Sequence, residues 1–108
     1  MTLPNMQPGQ EVTPDMRYCI IRCRDAGVHA GYVAHHSGRE VTLLKSRRLW
    51  KWHGKTLSGL AQEGTTNADE CKYANEIPEI MVLDACEIIP CSEAGKASIG
   101  MIPDWENE

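Results

Sequence analysis

Gly31-Tyr-Val-Ala-His-His36, Ser37-Gly38-Arg39 and Glu40-Val-Thr-Leu-Leu-Lys45 follow one another without a break. Two runs rich in β-branched and aromatic residues thus flank a short connection that contains glycine. Such residues suit a pleated, half-buried surface, and a short glycine loop joins antiparallel neighbours. The segment predicts a β-hairpin. Upstream, Arg17-Tyr-Cys-Ile-Ile-Arg-Cys-Arg24 alternates as a first strand, with Cys19, Ile21 and Cys23 inward and Arg22 and Arg24 outward. Asp25-Ala-Gly27 is the turn between them. Downstream, Leu49-Trp-Lys-Trp52 alternates again and extends or follows the third strand until His53-Gly54 breaks it. The first half is therefore a β-meander.

In the second half the period changes. Leu57, Leu60 and Ala61 stand at helical spacing, with Thr56 or Ser58 as a cap and Gly64 as a stop, which predicts a short helix over Leu57–Glu63. Thr65–Glu70 is polar and loop-like. Glu79–Ile89 is a long β-rich run between Pro78 and Pro90, expected as one central strand or two short ones. Ser92 caps a second helix over Ser92–Ile99 that ends near Gly100 and Pro103. Asp104-Trp105 is expected to pack the tail onto the domain. The fold class is α+β: a small antiparallel β-meander with two short helices, one domain over residues 17–108 behind a flexible N-terminal arm, residues 1–16.

Composition bounds what such a domain does. With 108 residues there is room for one core, and no apolar run reaches the roughly 18 residues of a membrane span. The arm has neither a basic n-region nor an apolar h-region, so export is not expected. Cys19, Cys23, Cys71, Cys86 and Cys91 form an odd set with gaps unlike the Cys-x2-Cys of zinc sites, so they are expected to be reduced thiols that bind no metal. Charge is lopsided: Arg17–Lys55 holds nine Lys/Arg against Asp25 and Glu40, while the chain from Thr56 onward holds two against eleven Asp/Glu. That pattern suggests an anion-facing surface on an acidic body, and the acidity argues against duplex DNA, which needs many phosphate contacts.

Two stretches carry candidate chemistry. Asp25-Ala-Gly-Val-His-Ala-Gly31 sets Gly27 and Gly31 around His29, expected as a strand-to-strand loop where backbone approaches a ligand closely. It is neither a dinucleotide fingerprint nor a phosphate loop. Lys45-Ser-Arg-Arg-Leu-Trp-Lys-Trp-His53 interleaves four cations with two indoles, guanidinium forks for phosphate and aromatic faces for bases. Arg47 and Arg48 point to opposite sides of an extended segment, so they cannot serve one site together. At least one Trp is expected in the core. His29, His35, His36 and His53 offer bases, but no triad order or motif surrounds them, so no enzymatic activity and no cofactor are expected.

The order Asp25-Ala-Gly-Val-His-Ala-Gly-Tyr32, Arg47-Arg-Leu-Trp-Lys-Trp52, Leu57-Ser-Gly-Leu-Ala61 with Glu63-Gly64, Cys71-Lys72 and Glu87-Ile-Ile-Pro-Cys91 resembles a small phage and prophage domain family of unknown function. The resemblance covers about Arg17 to Trp105. It departs where the family pattern has Arg-Thr-Tyr-Ser and this chain has Arg22-Cys23-Arg24-Asp25, which changes any ligand contact made by a threonine or serine hydroxyl there. The resemblance implies a phage-encoded accessory protein, located in the cytoplasm of the host bacterium. Many such proteins counter host defence, and one class, the sponges, holds the cyclic nucleotide signals of CBASS or Thoeris immunity without cleaving them. The leading expectation is such a sponge, a homo-oligomer whose ligand-binding residues are Arg22, Arg24, Gly27, His29, Gly31, Tyr32, Arg47, Arg48, Trp50 and Trp52. Arg47 or Arg48 would clamp phosphate, and Trp50 or Trp52 would stack a base. The alternatives are a protein-interaction module that inhibits a host protein and a single-stranded nucleic-acid binder.

Overall fold

The computed structural model describes residues 11–52, 56–65 and 68–105. His53 and Gly54, expected to break the third strand, lie outside them. Strand β1 (Tyr18–Cys23) turns into β2 (Val28–Ser37) and then β3 (Glu40–Lys51), the expected antiparallel meander. Gly38 (φ 58°) leads the tight turn between β2 and β3, with Ser37 paired to Glu40. A positive φ there matches the right-handed twist of the flanking strands. Helix α1 (Leu57–Glu63) has Thr56 as N-cap, its hydroxyl accepting from Gly59 N, and Gly64 (φ 74°) as stop.

The Glu79–Ile89 run is two strands, β5 (Ile77–Val82) and β6 (Ala85–Pro90), and neither is central. Pro78 lies within β5 instead of bounding it. A two-residue strand that the sequence reading did not identify, β4 (Lys72–Tyr73), precedes them. The sheet order is β4-β3-β2-β1-β6, with β5 also on β3, so β5 and β6 flank opposite edges. Only Leu83 and Asp84 join those two strands, and the sheet curls accordingly. Asp84 fixes the closure: its Oδ2 accepts from the backbone N–H of Asp25 at 2.6 Å and Ala26 at 3.1 Å, and its carbonyl accepts from Arg24 N at 2.9 Å.

Strand alternation divides the core in two. Cys19, Ile21 and Cys23 point into the curl with Val41, Leu43, Val82 and Ala85, as expected for one face of β1. Ile20 points the other way, under α1 and helix α2 (Glu93–Met101), and joins Leu49, Leu60, Tyr73 and Ile99. The α2 helix ends at Met101, between Gly100 and Pro103 as expected, and Gly100 lies inside its last turn. The two helices cross closely because Gly95 has no side chain: a Cβ there would sit 1.9 Å from Ala61 O. Trp105 does tie the tail down, its backbone N–H donating to Tyr73 O at 2.8 Å and its ring lying under Lys72 Nζ.

Candidate ligand-binding site

The expected His29 loop is shorter than the sequence suggested. Strand β2 already begins at Val28, so His29 and Gly31 are strand residues and only Arg24–Gly27 turns. Gly27 (φ 90°) makes that turn, its carbonyl accepting from Cys23 N at 2.8 Å. Gly31 serves packing: a Cβ on it would lie 3.0 Å from Leu44 O and 3.2 Å from Ser46 Cα. Opposite it, β3 bulges, and Lys45 takes a left-handed φ of 51°. A bulge changes which residues face which side, and this one sets the faces of Ser46 to Lys51.

Beyond the bulge the paired arginines separate as alternation requires. Arg47 is 4% exposed and is part of the fold. Its Nε donates to Ala74 O, its Nη1 to the carbonyls of Ile99 and Ile102, all at 2.8 Å, and its Nη2 to Asp104 Oδ1 at 3.1 Å. It thereby satisfies carbonyls at the end of α2, which an α-helix leaves without partners. Arg48 faces the opposite side, next to His29 across the β2–β3 ladder. Its guanidinium lies 5.3 Å from the centroid of Trp50, which is 56% exposed. Trp52 packs against the helix-side core.

Arg48 and Trp50 line a pocket of about 270 Å³ whose other walls are His29, Ser46, Ala74, Asn75, Ile77 and Ile80. Two polar groups at its base define its chemistry. The Ser46 hydroxyl is buried and has no hydrogen-bond partner. His29 is 1% exposed, and its Nε2 lies 2.9 Å from Ala26 O. A carbonyl only accepts, so Nε2 carries the proton and Nδ1 is left as an acceptor in the neutral ring. Burial holds the His29 pKa below its ordinary value, so the ring is neutral near pH 7. The pocket thus has the Arg48 guanidinium, the Trp50 indole and the Asn75 amide at its surface, with the Ser46 hydroxyl and the His29 imidazole buried in its lining.

The remaining expected residues lie elsewhere. Arg22 is an exposed cross-strand partner of Glu87, its Nε 3.0 Å from Glu87 Oε1, and Arg24 is exposed beside the closure at Asp84. Tyr32 is across the sheet from the pocket with Arg47, in a separate groove. Of the ten candidates, the structure brings together His29, Arg48 and Trp50. Ser46 also lines the pocket, and a serine between cations carries no signal in the sequence until its burial is known.

A family model described as Domain of unknown function (DUF6948) matches residues 16–99. The chain belongs to this family. The match spans β1 through most of α2, so the pocket and all of both core clusters except Ile102 lie within it. No curated protein and no solved structure matches the chain. Among the described residues of this DUF6948 protein, no group of three or more His, Cys, Asp or Glu is placed to hold a metal ion, and no helix is long and apolar enough to cross a membrane.

Proposed function

We propose that this DUF6948 domain is a non-catalytic receptor for a nucleotide-class ligand, held at the His29–Ser46–Arg48–Trp50 pocket. The observation that carries the reading is the buried, unpartnered Ser46 hydroxyl at a concave site lined by a guanidinium and an exposed indole. A polar group buried without a partner costs about 1–3 kcal/mol, and a ligand that bonds to it recovers that cost. Arg48 takes phosphate, Trp50 stacks a base, and His29 Nδ1 accepts from an amino group or hydroxyl.

Magnitudes decide the form in which it works. A stacked base contributes about 1–3 kcal/mol and a charge-assisted hydrogen bond about 1.5–3 kcal/mol, while micromolar affinity needs about 8 kcal/mol. The 270 Å³ pocket lies just under the roughly 300 Å³ at which ligand pockets begin. One open pocket therefore holds one nucleotide unit weakly, and tight capture requires a second copy to cover the remainder. Trp50 and Ile77, which line the pocket, are exposed, and an apolar surface there suits such a cover. In an infected bacterium, a receptor of this kind sequesters a cyclic nucleotide or cyclic ADP-ribose type immune signal without cleaving it.

The test is a fluorescence and calorimetric titration with cyclic dinucleotides, cyclic trinucleotides and cyclic ADP-ribose isomers. Arg48→Ala and Trp50→Ala are expected to weaken binding at least tenfold while Arg22→Ala leaves it unchanged. Equal binding by all three variants would place the ligand elsewhere.

A further inference from the structure

On the opposite face of β3, a second cavity of about 390 Å³ adjoins one of about 570 Å³, and the two share Tyr18, Tyr32 and Lys96. None of its chemistry is used by the nucleotide pocket. Tyr18 and Tyr32 are direct partners across β1 and β2 and meet edge to face, with centroids 5.0 Å apart and planes at 78°. They make an aromatic floor. Burial pushes the Tyr18 phenol far above its ordinary pKa, so it stays a protonated donor.

Three cations surround this floor. Lys96 Nζ lies 5.6 Å from the Tyr32 centroid. Lys45 reaches the cavity from the bulge, and its left-handed φ of 51° is the one positive φ among described non-glycine residues. A side-chain residue in that conformation costs free energy, and such strain collects at ligand sites. Arg47 also lines the cavity. A guanidinium has five N–H donors, and four of those of Arg47 are committed to Ala74, Ile99, Ile102 and Asp104. One Nη2 hydrogen remains. Glu76 and Asp104 lie on the same wall, and Lys96 Nζ is paired with Glu93 Oε1 at 3.4 Å; with Arg17 and Glu93 of the adjoining cavity included, four cations face three carboxylates, an excess of one positive charge.

We infer that this groove is a second binding site, for a small monoanionic organic acid with a planar ring. Its carboxylate bonds to Lys45 and the free N–H of Arg47, its ring packs on Tyr18 and Tyr32, and Glu76 accepts from a donor elsewhere on the ligand. The two wall carboxylates disfavour a dianion by like-charge repulsion, which separates this site from one for phosphate.

Heteronuclear NMR titration of the full chain tests this with three probes: benzoate, neutral benzyl alcohol and inorganic phosphate. Benzoate is expected to shift the resonances of Tyr18, Tyr32, Lys45 and the Arg47 Nε–H, and to bind at least tenfold more tightly than the other two. Lys45→Gly suits the left-handed backbone while removing the ammonium, so it is expected to weaken benzoate at least tenfold without lowering Tm. Benzoate shifts confined to the Trp50 side, equal binding by Lys45→Gly, or no benzoate binding would each overturn the proposal.

Discussion

Replacing Arg47 by Met removes four hydrogen bonds at once and leaves the carbonyls of Ala74, Ile99 and Ile102 without this donor. Breaking a buried charged network by removing one partner costs about 3–5 kcal/mol, and chemical denaturation is expected to show a loss of that order. Lysine does not substitute, because a single ammonium cannot reach all four acceptors in the fork's geometry. Arg48→Met, on the pocket side, is expected to change stability by less than about 1 kcal/mol. The sequence alone showed that these two arginines must diverge, since alternation permits nothing else. Which one was free depended on the bulge at Lys45 and on where α2 ended, and both are tertiary facts. His29 also has a measurable signature. Burial lowers its pKa in the fold from the ordinary 6.5, so the unfolded chain binds its proton first as pH falls. Its contribution is therefore intact above pH 6.5 and is lost as pH drops from there towards the lower folded value. Thermal melts from pH 8 to pH 5 are expected to show a decline in Tm that His29→Gln flattens.

Among the elements, the helices were the most legible. A serine or threonine cap, three apolar residues at helical spacing and a terminal glycine are local signals, and α1 has the expected bounds, Leu57–Glu63. The β5–β6 region was less so, because Glu79–Ile89 is β-rich on both sides of Leu83–Asp84 and no glycine or proline marks that pair as a crossing between sheet edges. The two glycines of α2 show how position governs substitution. Gly95→Ala would drive a Cβ to 1.9 Å from Ala61 O, and is expected to cost about 3 kcal/mol, the upper part of the usual range for overpacking. At Gly100 a Cβ meets nothing within 4 Å, so Gly100→Ala is expected to stabilise by about 0.5–1 kcal/mol through helix propensity. Thermal unfolding of the two variants side by side checks both signs.

For the whole molecule, the curled sheet places the proposed nucleotide pocket beside β5, an edge strand; Trp50 and Ile77 are exposed at the pocket, and Met81 and Leu83 are exposed in β5 and just after it. If a second copy covers the pocket, sedimentation is expected to show self-association that a cyclic nucleotide strengthens and that Met81→Lys with Leu83→Lys abolishes. Retained monomers with undiminished nucleotide affinity would contradict the covering role. The central claim is the nucleotide pocket itself. Its most direct measurement is a thermal-shift screen of the purified protein and its Ser46→Ala and Arg48→Ala variants against cyclic di- and trinucleotides and cyclic ADP-ribose isomers, with ligand recovered after heating. A ligand that binds only the native state raises Tm, so the account expects a rise of several degrees with one of these, reduced in both variants, and ligand released unchanged. No shift with any of them, or a shift that persists in Arg48→Ala, would contradict it.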